Sequence, residues 1–169
     1  MKHLHKFTEF LNESQQLTPE IEKFCKDTDI TFDQYTGKTP IEGNLCITGT
    51  SIPHWDASSP WKTVELASPP PGFSPHIKGF LYLYGFDSLP DGFSPEVGGY
   101  LAIDGTPSLP SGFSPKVAHI LSLSGISELP KNTEWITNIR GDILIKQVGK
   151  REVVLSHIMK TPIEWIKIK

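Results

Sequence analysis

The stretch Val97-Gly98-Gly99-Tyr100-Leu101-Ala102-Ile103-Asp104-Gly105 has two echoes, Ile77-Lys-Gly-Phe-Leu81-Tyr-Leu83-Tyr-Gly85 before it and Val117-Ala-His-Ile-Leu121-Ser-Leu123-Ser-Gly125 after it, each displaced by twenty residues. Each copy follows a Gly-Phe-Ser-Pro, at residues 72–75, 92–95 and 112–115, and precedes a Leu-Pro that begins at Leu89, Leu109 or Leu129. The alternation Leu-x-Leu reads as a short strand with its leucine-type residues on one face and the intervening residues on the other. A fixed period near twenty is the mark of a stack, in which no single unit can bury its apolar face without a neighbour. Within one unit, the glycine after the strand suits a tight bend, and Phe113 with Leu109 fills the return side. The prolines there hold φ fixed and remove amide donors that would otherwise need partners. On this reading Gly-Phe-Ser-Pro is scaffold, its serine satisfying local backbone, and binding information lies where the copies differ.

Fainter copies extend the pattern. Ile41-Glu-Gly-Asn-Leu45-Cys-Ile47-Thr-Gly49 lies upstream and Ile139-Arg-Gly-Asp-Ile143-Leu-Ile145 downstream, with Thr63-Val64-Glu65-Leu66 as a weaker unit and Trp165-Ile166-Lys167-Ile168 as a last one. The predicted architecture is an α/β repeat solenoid of about seven coils over residues 39–169, a parallel sheet lining one face. Residues 1–38 are predicted as a small N-terminal helical cap. Leu4, Phe7, Phe10 and Leu11 have helical spacing, and Thr18-Pro19-Glu20 supplies an N-cap, a first-turn proline and an acidic first turn. Such a cap covers the bare end of an open stack. A short helix is expected over residues 151–159, and Lys160, Lys167 and Lys169 would guard a C-terminal edge strand, whose pairing with a second copy would make a homodimer.

The bulk composition narrows the function. A length of 169 residues with 37% hydrophobic content suits one domain with a genuine core. A net charge of −3 provides no broad basic field for nucleic-acid phosphates. The N-terminus has no apolar run of signal-peptide length, no stretch reaches membrane-span length, and the two cysteines, Cys25 and Cys46, suit reduced thiols. A cytoplasmic location is therefore expected.

From Val97 to Pro110 the phrase resembles, almost position for position, the short-repeat leucine-rich repeat proteins of bacteria and bacteriophages, built on V-G-G-x-L-x-L-x-G-T followed by Leu-Pro. The match is looser over residues 77–90 and 117–130 and faint over residues 41–169. It departs from the family in having eight residues from Leu101 to Leu109 where about ten are usual, and in lacking the polar asparagine of standard repeats; an unusual parallel β-solenoid is the alternative. The resemblance implies a right-handed curved coil whose strand-lined face holds proteins. For so small a free-standing module it also implies an inhibitor, of the phage anti-defence or toxin-neutralising type, acting on a bacterial defence or toxin protein inside the bacterium or infected host cell. An adaptor or effector that recruits host proteins is the second reading.

The outward strand positions, coil by coil, are Asn44, Cys46 and Thr48; Thr63, Glu65 and Ala67; Phe80, Tyr82 and Tyr84; Tyr100, Ala102 and Asp104; Ile120, Ser122 and Ser124; and Asp142, Leu144 and Lys146. The expected protein-binding site is Phe80, Tyr82, Tyr84, Phe86, Tyr100 and Asp104, since aromatics with a polar tip anchor interfaces; shielding of the sheet is the structural alternative. No histidine shares ligand-like spacing with a cysteine or carboxylate, so no metal or cofactor is expected. Cys25-Lys26-Asp27 echoes the Cys-x-Asp of bacterial ubiquitin ligases that carry such repeats, but the sequence supplies no base to activate the thiol. An enzyme therefore ranks low. So does a binder of single-stranded nucleic acid, because Lys62, Lys78 and Lys116 are diluted by acidic residues.

Overall fold

Leu101 stands between Leu81 and Leu121, and Ile103 between Leu83 and Leu123, in parallel register. The twenty-residue phase of the sequence thus becomes a one-strand step in space. A computed structural model describes residues 17–49, 61–127, 133–147 and 152–155. Its strands are β1 (Leu45–Thr48), β2 (Trp61–Thr63), β3 (His76–Ile77), β4 (Leu81–Tyr84), β5 (Glu96–Val97), β6 (Leu101–Asp104), β7 (Lys116–Val117), β8 (Leu121–Ile126), β9 (Ile143–Gln147) and β10 (Glu152–Leu155). Helices α1 (Pro19–Thr28) and α2 (Phe32–Tyr35) precede them, and a 3-10 turn covers Glu134–Asn138. The fold is α/β: a sheet ordered β10-β9-β8-β6-β4-β1-β2, parallel except for the antiparallel β10, beside a small parallel sheet ordered β3-β5-β7.

Both sheets are built by the same phrase. The bridges Ile41 to Ile77 and Val117 to Ile139 continue the small sheet at either end, so the faint copies at residues 41–49 and 139–145 occupy the positions their alignment predicts. The inner face of the large sheet carries two fully buried rows, Leu45, Leu81, Leu101, Leu121 and Ile143, and Ile47, Leu83, Ile103, Leu123 and Ile145. Burying one such side chain contributes roughly 1.5–3 kcal/mol, so these rows are a large favourable contribution to the fold.

Opposite them runs a ladder made by Gly-Phe-Ser-Pro. Phe73, Phe93 and Phe113 stack with ring centroids 6.0 and 6.3 Å apart, and Trp135 closes one end edge-on at 5.3 Å. At the other end Phe24 of α1 and Tyr35 of α2 meet Phe73 at 5.1 and 5.4 Å. The Tyr35 hydroxyl lies 2.7 and 2.9 Å from the Pro70 and Pro71 carbonyl oxygens, an O–H donor facing two acceptors. Each phenylalanine amide donates to the proline carbonyl three residues back, and the glycine between them has positive φ, +86°, +73° and +71° at Gly72, Gly92 and Gly112. That turn requires a left-handed third residue, which glycine adopts without steric cost. The serine works between repeats rather than locally: Ser94 Oγ donates to the Ser114 carbonyl at 2.7 Å, twenty residues on.

The predicted N-cap is present. Thr18 Oγ1 accepts from the Ile21 amide at 3.3 Å, and α1 buries Ile21, Phe24 and Cys25. The helix expected from Leu4 to Leu11 and the strand expected at Trp165 to Ile168 lie outside the described residues.

Two expectations need correction. The weak unit at Thr63 to Leu66 does not sit between β1 and β4, which pair directly; its strand is Trp61–Thr63, hydrogen-bonded to the other side of β1. The segment has no Ile/Val-x-Gly phrase ahead of it, so it cannot supply a strand to the small sheet and complete a layer. The open edge of β1 is the position left to it. Similarly, Glu152–Leu155 forms the antiparallel strand β10 where a helix was expected. The pair Val153-Val154 is β-branched, and the free edge of β9 supplies hydrogen bonds that an isolated short helix would lack.

Candidate functional site: the aromatic outer face of the large sheet

Strand alternation sends the second and fourth residues of β4, β6 and β8 outward, and the parallel register lines them up in rows. One row reads Trp61, Cys46, Tyr82, Ala102, Ser122, Leu144, and the next Thr63, Thr48, Tyr84, Asp104, Ser124, Lys146. A third comprises Asn44, Phe80, Tyr100, Ile120 and Asp142, just ahead of the strands, where the carbonyls of the last four accept from the amides of Leu45, Leu81, Leu101 and Leu121 respectively.

On this face the aromatic side chains touch in an unbroken chain. Trp61 lies 5.9 Å from Tyr82 and 6.3 Å from Tyr84; Phe80 lies edge-on to Tyr82 at 6.2 Å and to Tyr100 at 5.2 Å. The chain ends on His119, whose ring is 11° from parallel with that of Tyr100 at 6.5 Å. Phe80, Tyr82 and Tyr84 are half-buried, and Tyr100 is 38% exposed, while the inner rows are sealed. Edge-to-face packing of this kind contributes roughly 0.5–1.5 kcal/mol per pair, which fixes the ring orientations.

Of the six residues expected here, Phe80, Tyr82, Tyr84 and Tyr100 come together, and Asp104 lies in the adjacent row beside Tyr84. Phe86 does not belong. It is 1% exposed and part of the core, because Gly85 with φ +68° turns the chain after β4 and reverses the alternation. The aligned Thr106 and Ile126 are buried in the same way, and Thr106 Oγ1 donates to the Phe86 carbonyl at 3.1 Å. Trp61 and His119 are additions. Trp61 was hidden by a one-strand misplacement of the neighbouring segment; its two-residue spacing from Thr63 was the available signal. His119 stands where the aligned copies have Gly79 and Gly99, and that departure from the repeat marked it.

The lysines nearby lie off this face and are already paired: Lys62, which alternates to the opposite side from Trp61 and Thr63, with Asp29 at 3.8 Å, and Lys78 and Lys116, at the small sheet, with Glu42 at 2.8 Å and Glu96 at 3.8 Å. By contrast, the Asp104 carboxylate and the hydroxyls of Ser122 and Ser124, all half-buried, have no side-chain hydrogen bond or ion pair among the described residues. Cys25 and Cys46 are both buried free thiols, and burial pushes each thiol's pKa up, opposite to the shift that activates a nucleophile. Among the described residues no group of three or more His, Cys, Asp or Glu side chains is placed to hold a metal, and no helix is long and apolar enough to cross a membrane.

No protein-family model matches the chain, and no curated protein or solved structure shows significant similarity to it.

Proposed function

We propose that this protein is a non-enzymatic protein-binding module, a leucine-rich-repeat-like solenoid that grips its partner with the outer face of its large sheet. The observation that carries this reading is the contiguous aromatic chain from Trp61 to His119, set on a rigid sheet and left partly open on one face only. Rigid aromatics with few rotatable bonds lose little entropy on binding and are the usual energetic centres of interfaces. The repeating parallel register supports the solenoid reading: the leucine-type positions shared between copies lie in the core, and the intervening strand positions, which differ between copies, lie outward, with the buried column Phe86, Thr106 and Ile126 as the exception.

Within this class, an inhibitor that covers a partner's working surface is the favoured role, as the resemblance to bacterial and phage repeats suggests, acting in the cytoplasm of the bacterium or infected cell. The test is the double substitution Tyr82→Ala with Tyr100→Ala. Because both rings are partly open, the thermal transition is expected to stay within a few degrees of wild type, while partner capture from native cells weakens by at least about thirtyfold, the equivalent of a central anchor worth 2 kcal/mol or more. Undiminished capture by a folded double variant would overturn the reading.

A further inference from the structure

Beside the aromatic chain the outer face changes character within one strand. In the row Tyr82, Ala102, Ser122 the side chain drops from a phenol ring to a methyl to a hydroxymethyl, and in the row Tyr84, Asp104, Ser124 it drops from a ring to a carboxylate to a hydroxymethyl. Strands about 4.8 Å apart therefore place a low floor of Ala102, Ser122 and Ser124 against a wall of tyrosines on β4. Asp104 stands in that floor, half-buried, and neither it nor the two serine hydroxyls has a side-chain partner among the described residues. Lys146 is the nearest basic residue in Asp104's row and stands two strands away beyond Ser124, without an ion pair to it among the described residues. A carboxylate that is partly withdrawn from water, without a side-chain partner among the described residues and with two serine hydroxyls on the next strand, suits a cation. Of the two cationic side chains, the guanidinium fits better, because its planar fork can bond a carboxylate with two N–H groups while its face lies along a tyrosine ring.

We propose that Asp104, Ser122 and Ser124, walled by Tyr82, form a socket for one arginine side chain of the partner protein. This rests on the reading that the outer face binds a protein, and it adds the chemistry the partner must present: an arginine set beside an apolar patch that covers Phe80 and Tyr100.

The socket can be tested without the partner. The full chain, labelled with 15N, is titrated with N-acetyl-arginine amide, and in parallel with the uncharged citrulline and the lysine analogues, while amide shifts are followed. Shifts centred on residues 102–104 and 122–124 are expected, with the arginine probe binding at least about tenfold tighter than citrulline and measurably tighter than lysine, in keeping with a hydrogen bond to a charged group. Asp104→Asn, which keeps the shape, should lose at least about tenfold toward arginine with its spectrum otherwise intact. Ser122→Ala with Ser124→Ala should lose a smaller factor. Scattered shifts, equal binding of citrulline or lysine, or arginine binding unchanged in Asp104→Asn would each overturn the socket. Partner capture that is lost in the tyrosine variant yet indifferent to Asp104→Asn would sink this inference while leaving the protein-binding reading in place.

Discussion

Replacing Phe93 by alanine is the most informative change in the scaffold, because it separates the two meanings that a thrice-repeated Gly-Phe-Ser-Pro could have. Phe93 is 1% exposed and lies between Phe73 and Phe113, with centroids 6.0 and 6.3 Å away. Truncating a buried phenylalanine costs about 3–5 kcal/mol, from lost transfer energy and the cavity left behind. The sheet and turn on either side are hydrogen-bonded and cannot collapse into the gap, which places Phe93 in the upper half of that range. For a domain whose whole stability is of the order of 5–15 kcal/mol, this is a large fraction. In urea, with a slope near 2 kcal/mol/M, the midpoint should fall by about 2 M. Circular dichroism and tryptophan fluorescence should report the same shift, since Trp135 closes one end of the ladder. Ser94→Ala, which loses one bond from an exposed hydroxyl, should cost no more than about 1 kcal/mol. A Phe93→Ala protein that lost less than about 1 kcal/mol but no longer captured a partner would refute the reasoning: the motif would then be a ligand site and the ladder incidental.

Two further outcomes follow from the packing. A methyl on Gly141 would fall on the backbone carbonyl of His119 in the preceding copy, whereas one on Gly43, the first copy, would meet nothing within 4 Å. Gly141→Ala should therefore cost about 1–3 kcal/mol by overpacking and Gly43→Ala almost nothing, as thermal denaturation would show. The third outcome concerns alkali. Burial raises the pKa of Cys25, Cys46 and Tyr35 in the folded protein, so the unfolded chain releases these protons first. The associated stability is intact below about pH 8.5, where unfolded thiols begin to ionise, and is lost as pH climbs through the folded values, with Tyr35 joining above about pH 10. Urea midpoints measured from pH 7 to 10.5 should show that decline, and Cys25→Ala with Cys46→Ala should delay its onset toward the tyrosine range.

The core was legible because its signal is redundant. Leu101, Leu121 and their partners recur at one phase, so any single copy predicts the others, and even the faint copies at Ile41 and Ile139 reach their places. What misled was non-repetitive. The segment at Trp61 carries a plausible strand but not the Ile/Val-x-Gly phrase, and strand order depends on which edge is open, a property of the assembled sheet and not of the segment. Phe86 was misplaced by carrying strand alternation past Gly85, although the column Phe86, Thr106, Ile126 held the evidence of a reversal. The candidate site was half legible: a run of tyrosines is visible in a string of letters, but the joining of Trp61 and His119 to it needs the register. That Asp104 has no side-chain partner among the described residues could not be read at all, since it depends on the register that sets Lys146 two strands away.

The shared leucine-type residues build the large sheet's buried face, and we propose that the variable outer residues bind. The most direct test of that binding is residue-resolved photo-crosslinking in native cells, with a benzophenone amino acid placed singly at Tyr82, at Tyr100, or at the exposed return-side positions Asp91 and Ser111. One discrete partner adduct is expected from positions 82 and 100 and none from 91 or 111. Adducts from the return side, with positions 82 and 100 silent, would contradict the proposal.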